Sequence, residues 1–572
     1  MFSSLTRSAL DCMSWEWPQF EPYFAELAAR PLTAGTVAGW LADWSRLAEL
    51  YDEAYWRLYV ATTVNTADQQ AQQRYEHFVE HVRPPIQQAE NGLKQKLLDS
   101  GLQPEGFDVP LHRMRAQAEI FREANLPLLA EEKKLSSQFE QIAGAQTVEW
   151  EGQSLTLQQL TLIYQNPDRP TREQAWRLGL ERQMVDRQAV NEVWAGLVKL
   201  RQQIAEQAGL PDYRAYRWLD QSRFDYTPED CLSFHRAIEE VVVPAAERIY
   251  EKRRRRLGLD TLRPWDTSVD PFGRPALHPF ETVPELVERT AVIFDRVDPA
   301  LGQYFDIMRR ENLLDLDSRP NKSPGAYSMP YEACRRPFIF MNAVGTHDDV
   351  MTLLHEAGHS FHVFETAGLP YFHQRNSVGV PLEFAEVASM SMELLASPYL
   401  PAKEGGFYTD EEFARAGIEH LEGIITFWPY MAVVDAYQHW VYTHPDEGAD
   451  PARCDEVWDA LWKRFMRGVD FTGLEDAVAM RWRRQLHLFT DPFYYVEYGL
   501  AQLGAVQVWR NALRDQAGAV AQYRHALSLG GSVSLPEMYA AAGARFAFDA
   551  GTLRSAVSLL EERIEALESL LE

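Results

Sequence analysis

The chain has 572 residues, 46% of them apolar and 24% charged, with a net charge of −27. That length exceeds what one hydrophobic core supports, so two lobes or more are expected. The acidic excess argues against nucleic acid as a partner, and no apolar stretch is long enough to span a bilayer.

The four cysteines (Cys12, Cys231, Cys334 and Cys454) are far apart, with no C-x-x-C spacing, and residues 1–17 show no secretory signal. Both features predict reduced thiols in a cytoplasmic protein. The first part reads as almost wholly helical, with Leu47, Leu50, Tyr51, Ala54, Leu58 and Tyr59 at helical spacing. A Gln-rich helix follows through His77 and His81, both expected in solvent, and should stop at Pro84-Pro85. Another helix carries Ile86 to Leu98. Val148, Trp150, Gly152 and Leu155 predict a short hairpin over 147–156. Asn166 to Pro170 is a loop, after which Thr171 should cap a new helix. A lobe boundary is expected there, dividing an N-terminal helical lobe, 1–165, from the remainder, 166–572.

Arg253 to Arg256 are expected as the solvated end of a helix begun near Pro244, where cations suit the helix C-terminus. Leu262 to Pro279 holds four prolines and little periodicity, so it is a long connection of the kind that is often functional. Gly325 to Met329 and Pro337 to Asn342 read as two short strands. An exposed strand edge could hold an extended peptide by its backbone, or the small sheet could only support the helix that follows.

That helix carries the chemistry. Residues 351–364 read Met-Thr-Leu-Leu-His-Glu-Ala-Gly-His-Ser-Phe-His-Val-Phe, with His355 and His359 four apart and Glu356 between them. Side chains at i and i+4 share one helix face, so the two imidazoles can serve one metal ion while Glu356 reaches a water on it. Asp348 and Asp349 suit the helix start, and one of them could also orient a ligand histidine. After a polar loop, Tyr371 to Pro381, a helix runs through Leu395. Its Glu383 and Glu386 lie among Phe384, Val387, Met390 and Met392, where a carboxylate needs a partner unless that face is wet. Either acid could be the third metal ligand. Near the end, Leu553, Val557, Leu560, Ile564, Leu567 and Leu571 form a packing stripe compatible with a monomer or a homodimer.

The chain resembles the thimet oligopeptidase, oligoendopeptidase F and Pz-peptidase family of zinc metallopeptidases. The resemblance covers roughly Ala326 to Gly504. It rests on His355-Glu356-Ala357-Gly358-His359 preceded by Asp349-Val350, on Phe384 to Ser389, and on Phe493-Tyr494-Tyr495-Val496-Glu497-Tyr498-Gly499. It implies a mostly α, two-lobed fold with a deep central channel and a small β-sheet beside the HExxH helix, the C-terminal helices contributing to both lobes. It makes Glu386 the third ligand of one zinc ion beside His355 and His359, with Glu383 supporting the site from behind. His487, Tyr494 and Tyr498 become donors to the developing oxyanion, a task that suits an uncharged phenol, with Tyr495 facing away. The remaining histidines, among them His362, His373, His439 and His525, are read as packing or surface residues.

The expected function is zinc-dependent hydrolysis of internal bonds in oligopeptides, with Glu356 as general base. A zinc exopeptidase of the carboxypeptidase type is the alternative, and a helical binding protein with a structural metal a more distant one. Manganese or cobalt would also accept this N/O donor set.

Overall fold

Amphipathic runs punctuated by caps and prolines, with few β-branched stretches between them, give a chain that is helical through most of its length. The computed structural model describes residues 2–375 and 379–571. Asn376, Ser377 and Val378, part of the expected polar loop, lie outside the described residues.

The principal helices are α1 (Val37–Val64), α2 (Gln69–His77), α3 (Arg83–Asp99), α4 (Arg169–Val185) and α5 (Pro228–Arg256). They continue with α6 (His347–Thr366), α7 (Leu382–Ala396), α8 (Asp410–Thr443), α9 (Tyr495–Ala512), α10 (Gln516–Ser528) and α11 (Ala550–Glu568). The strands are β1 (Thr147–Trp150), β2 (Gln153–Thr156), β3 (Leu314–Asp317), β4 (Tyr327–Tyr331) and β5 (Arg336–Ala343).

The chain packs into two compact units that interleave in sequence. Unit 1 takes residues up to Ala118, His278–Phe413 and Ala501–Phe546; unit 2 takes Glu119–Leu277, Ala414–Leu500 and Ala547 onward. The division expected at residue 165 is therefore not where the units part. Both sides of that position belong to unit 2, where Val148 of the predicted hairpin shares an apolar cluster with Leu160 and Ala175 of α4.

In unit 1, α1 buries Trp40, Trp44 and Leu47 against Phe20, Ile86, Leu93 and Leu97. The Gln-rich α2 does not stop at the prolines. A π-turn over Phe78–Val82 carries the helix into α3, with Pro84 and Pro85 in its first turn. A proline inside a helix forfeits a backbone N–H and its ring crowds the preceding carbonyls, and the wider turn relieves that crowding. His77 and His81 lie in solvent as expected.

The sheet of unit 1 has the order β3-β5-β4. The two expected strands form its antiparallel pair, with Tyr327 opposite Phe340 and Met329 opposite Phe338. The parallel β3 was not foreseen, because its Leu-Asp-Leu-Asp alternation lasts only four residues. Helix α6 lies on β4 and β5, where Ser360 Oγ meets Ser328 Oγ at 2.9 Å, and α7 packs along α6.

In unit 2, α4 is capped by Asp168 rather than by Thr171; its carboxylate accepts the Thr171 N–H at 3.0 Å. Helix α5 begins at Pro228 under a Thr227 cap and runs through Pro244, so the basic run ends a longer helix than expected. Most of that run is paired: Arg254 and Arg255 with Glu251, both at 2.7 Å, and Arg256 with Glu568 at 3.0 Å. Only Arg255, 73% exposed, fits the description of a solvated cation. The stripe of α11 is satisfied within the unit, where Leu553, Val557, Leu560 and Ile564 are buried and α11 packs along α5. Among the described residues, no helix is long and apolar enough to cross a membrane.

Candidate metal centre

The start of α6 is fixed by its backbone chemistry. Thr346 is the N-cap, and Asp349 Oδ2 accepts the N–H groups of Val344, Gly345 and Thr346 at 2.9, 2.9 and 2.8 Å. Gly345 holds φ +100°, and a Cβ there would also collide with the His278 ring. Asp349 is thereby committed to the cap and does not orient a ligand histidine.

One glycine decides how closely α6 meets α7. A Cβ on Gly358 would lie 2.6 Å from both the Ala388 carbonyl oxygen and Ser389 Cα, so the two backbones touch only because position 358 is bare. Tyr523, on α10, donates its hydroxyl to the same Ala388 carbonyl at 2.7 Å and braces α7 from the far side.

This approach sets Glu386 against the two histidines. Its Oε2 lies 3.4 Å from His355 Nε2 and 3.7 Å from His359 Nε2. The ligand atoms of His355, His359 and Glu386 all fall within 4.8 Å of one another. Ser389 Oγ donates to Glu386 Oε2 at 2.9 Å, and Glu393, two turns further along α7, meets His355 Nδ1 at 2.7 Å. A carboxylate on Nδ1 holds a proton there and turns Nε2 toward Glu386.

The electrostatics follow from crowding these groups. Burial opposes ionisation of Glu386, but the His355 hydrogen bond and the nearby His359 hold its carboxyl down at about 2. Burial likewise opposes charge on His355, yet its bonds to Glu386 and Glu393 carry its pKa well above the ordinary value. Burial pushes His359 down to about 4, so it is a neutral donor near neutrality. Glu356 is 7% exposed, and one of its oxygens, Oε2, meets no protein donor. Burial raises it to about 7; His355 pulls it back and Glu386 pushes it further up, while the Ser328 backbone N–H on β4 bonds to it.

These observations pass a test of fit for a divalent cation. Two imidazole nitrogens and one carboxylate oxygen converge, and three protein donors of this kind leave a coordination position open. A buried carboxylate with an unsatisfied oxygen stands next to them. Such a constellation could hold a divalent ion with a buried carboxylate beside it.

Glu383 is also buried on α7, outside the donor group; burial and then the Glu383 charge raise the Tyr539 phenol. Glu393, which meets His355 Nδ1, is not singled out by the sequence although it stands seven residues, two helical turns, from Glu386. His487, Tyr494 and Tyr498 lie in unit 2 and form one cluster. The ring centroids of His487 and Tyr494 are 5.3 Å apart, those of His487 and Tyr498 6.0 Å, and those of Tyr494 and Tyr498 5.0 Å. Tyr495, expected to face away, joins them at 5.1 Å from His487. The segment is anchored at Phe493, a bulky residue at φ +69°, an uncommon and strained conformation that its surroundings have to compensate. Gln438 accepts its N–H, Arg223 donates to its carbonyl at 2.6 Å, and Arg223 also pairs with buried Glu497 at 2.6 Å. Of the histidines read as packing or surface, His362 packs against Phe384, His373 against Trp44, and His525 is exposed. His439 packs against Trp218 and Phe493.

A family model described as Peptidase family M3 matches residues 162–557, and the chain belongs to that family, whose members are metallopeptidases. Among curated relatives, oligopeptidase PepF of Bacillus subtilis is 26% identical over 279 residues, 47% of this chain and 40% of that protein. Oligoendopeptidase F of Lactococcus lactis subsp. cremoris is 25% identical over 307 residues, 51% and 46% of the two chains. The matched segments thus span less than half the length of these two relatives. Among solved structures, Pz peptidase A with an inhibitor superposes with a TM-score of 0.86 at 26% identity, covering 100% of both chains. A protein assigned as oligoendopeptidase F superposes at 0.88 with the same identity and coverage.

Proposed function

We propose that the protein is a zinc-dependent endopeptidase that hydrolyses internal bonds of oligopeptides. The observation that carries this reading is Glu356: buried, raised to about 7, held by a strand N–H, with one oxygen unpaired beside three converging donors. A general base works best when its pKa lies near the working pH. His355, His359 and Glu386 would hold the ion. Zinc bound there supplies Lewis acidity, which lowers the pKa of water toward about 7 and polarises a carbonyl.

The side chains of this chain perform the remaining tasks. Glu356 takes a proton from the attacking water and returns it to the leaving amine. Glu393 and Ser389 hold His355 and Glu386 in register. β4 pairs only with β5 among the described strands, so its other edge can accept an extended peptide by main-chain hydrogen bonds, next to the Ser328 N–H that bonds Glu356. The assignment of His487, Tyr494 and Tyr498 as donors to the oxyanion rests on the resemblance of their segment and on their forming one cluster. Internal cleavage is inferred from the relatives named oligoendopeptidase F, and one zinc at this centre from its donor set.

Cleavage mapping of an oligopeptide blocked at both ends tests the proposal. Internal products that disappear on chelation and return with zinc are expected. An intact blocked peptide, alongside trimming of unblocked ones, would favour the exopeptidase.

A further inference from the structure

Helices α5 and α8 of unit 2 each present a pair of metal-binding side chains at i, i+4 spacing, and the two pairs face each other. Cys231 and His235 come from α5, Asp435 and His439 from α8. All four are buried: Cys231 and Asp435 are 0% exposed, His235 2% and His439 4%. Asp435 Oδ2 lies 2.8 Å from His235 Nε2 and 3.3 Å from His439 Nε2. Donor atoms of Cys231, Asp435 and His439 fall within 4.8 Å of one another, and Cys231 is in no disulfide. We propose that these four residues form a second, structural zinc site, separate from the centre on α6 and α7.

Three observations carry it. The set combines a thiol, two imidazoles and a carboxylate, the donor types that structural zinc takes in fours, and a thiolate selects zinc over magnesium or calcium. Hydrogen bonding within the cluster does not satisfy it: Asp435 Oδ1 and His439 Nδ1 meet no protein partner although both are buried. A buried polar atom without a partner is costly and calls for a ligand or a compensating role. Tetrahedral zinc at the usual bond lengths sets its donors about 3.3–3.8 Å apart, so closing the cluster needs side-chain movements of about 1 Å. Trp218 and Phe493 pack on the His439 ring, with centroids at 5.7 and 5.3 Å, and would shield an ion from solvent. With four protein donors no position remains for water, so the site holds α5 against α8 and takes no part in hydrolysis. Phe493, which opens the tyrosine segment, rests on this junction.

The test uses the full chain loaded with cobalt(II), since a thiolate on cobalt gives a near-ultraviolet charge-transfer band and the centre on α6 has no cysteine. Wild-type protein is expected to show that band and to hold two ions per chain by elemental analysis. Cys231→Ala and, independently, His439→Ala are expected to lose the band and one ion, and to melt at lower temperature. A wild-type protein without the thiolate band, or one ion per chain in both wild type and Cys231→Ala, would overturn the proposal. The wild-type spectrum decides the matter even if a variant fails to fold.

Discussion

Removing the carboxylate of Glu393 tests whether the metal centre depends on the residue behind its ligand. Glu393 Oε1 sits 2.7 Å from His355 Nδ1, and its side chain is only 15% exposed, so solvent replaces it poorly. Loss of such a partner lets the imidazole rotate and exchange tautomers, and typically costs about 10–100-fold in metal affinity, or about 1.4–2.7 kcal/mol. Glu393→Ala should weaken zinc binding by that factor with all three ligands in place. Glu393→Gln can still accept the Nδ1 proton but lacks the charge, and should fall between Ala and wild type. Competition with a chromophoric chelator measures both affinities, and activity restored by excess zinc would show that the defect is one of loading. Unchanged zinc affinity in Glu393→Ala would refute the reasoning.

Gly358→Ala should drive α6 and α7 apart, costing about 1–3 kcal/mol of stability and lowering zinc occupancy; denaturant melts and metal analysis report the two effects. Arg223→Met leaves Glu497 buried beside the tyrosine segment, each side chain of the pair being 1% exposed. A loss of about 3–5 kcal/mol is expected, partly restored by Glu497→Gln in the same chain; a stable single variant would contradict it. Burial raises Glu90 from its usual 4.5 to about 6, against the pull of Lys94 and the Trp44 indole N–H. The folded state then holds this proton more tightly than the unfolded one, so stability falls as pH rises from 4.5 through 6. The change amounts to about 2 kcal/mol. Glu90→Gln should remove that slope, so its stability relative to wild type should be greater at pH 7 than at pH 4.5.

The candidate donors on α6 are legible because their information is local. His355 and His359 belong to one helix face by spacing alone, whereas Glu383 and Glu386 are equal candidates among Phe384, Val387 and Met390, and only the family resemblance separates them. Glu393 was not legible in the same way, because an acid near a helix end reads as solvated until α6 is seen to lie against it. The interleaving of the two units was also hidden, since it depends on packing between segments far apart in sequence. Likewise each half of the Cys231–His235 and Asp435–His439 cluster is visible at i, i+4, but nothing in the sequence says that α5 and α8 bring them together. The π-turn before Pro84 is not legible because proline ordinarily ends a helix, whereas here a wider turn carries the helix past it. β3 was too short for alternation to announce it.

Zinc content and peptide turnover measured on the same preparation of Glu356→Gln test the central claim most directly. Wild-type zinc content is expected, with turnover reduced at least about a hundredfold, the scale of general base catalysis. Wild-type turnover in a zinc-loaded Glu356→Gln would contradict that claim.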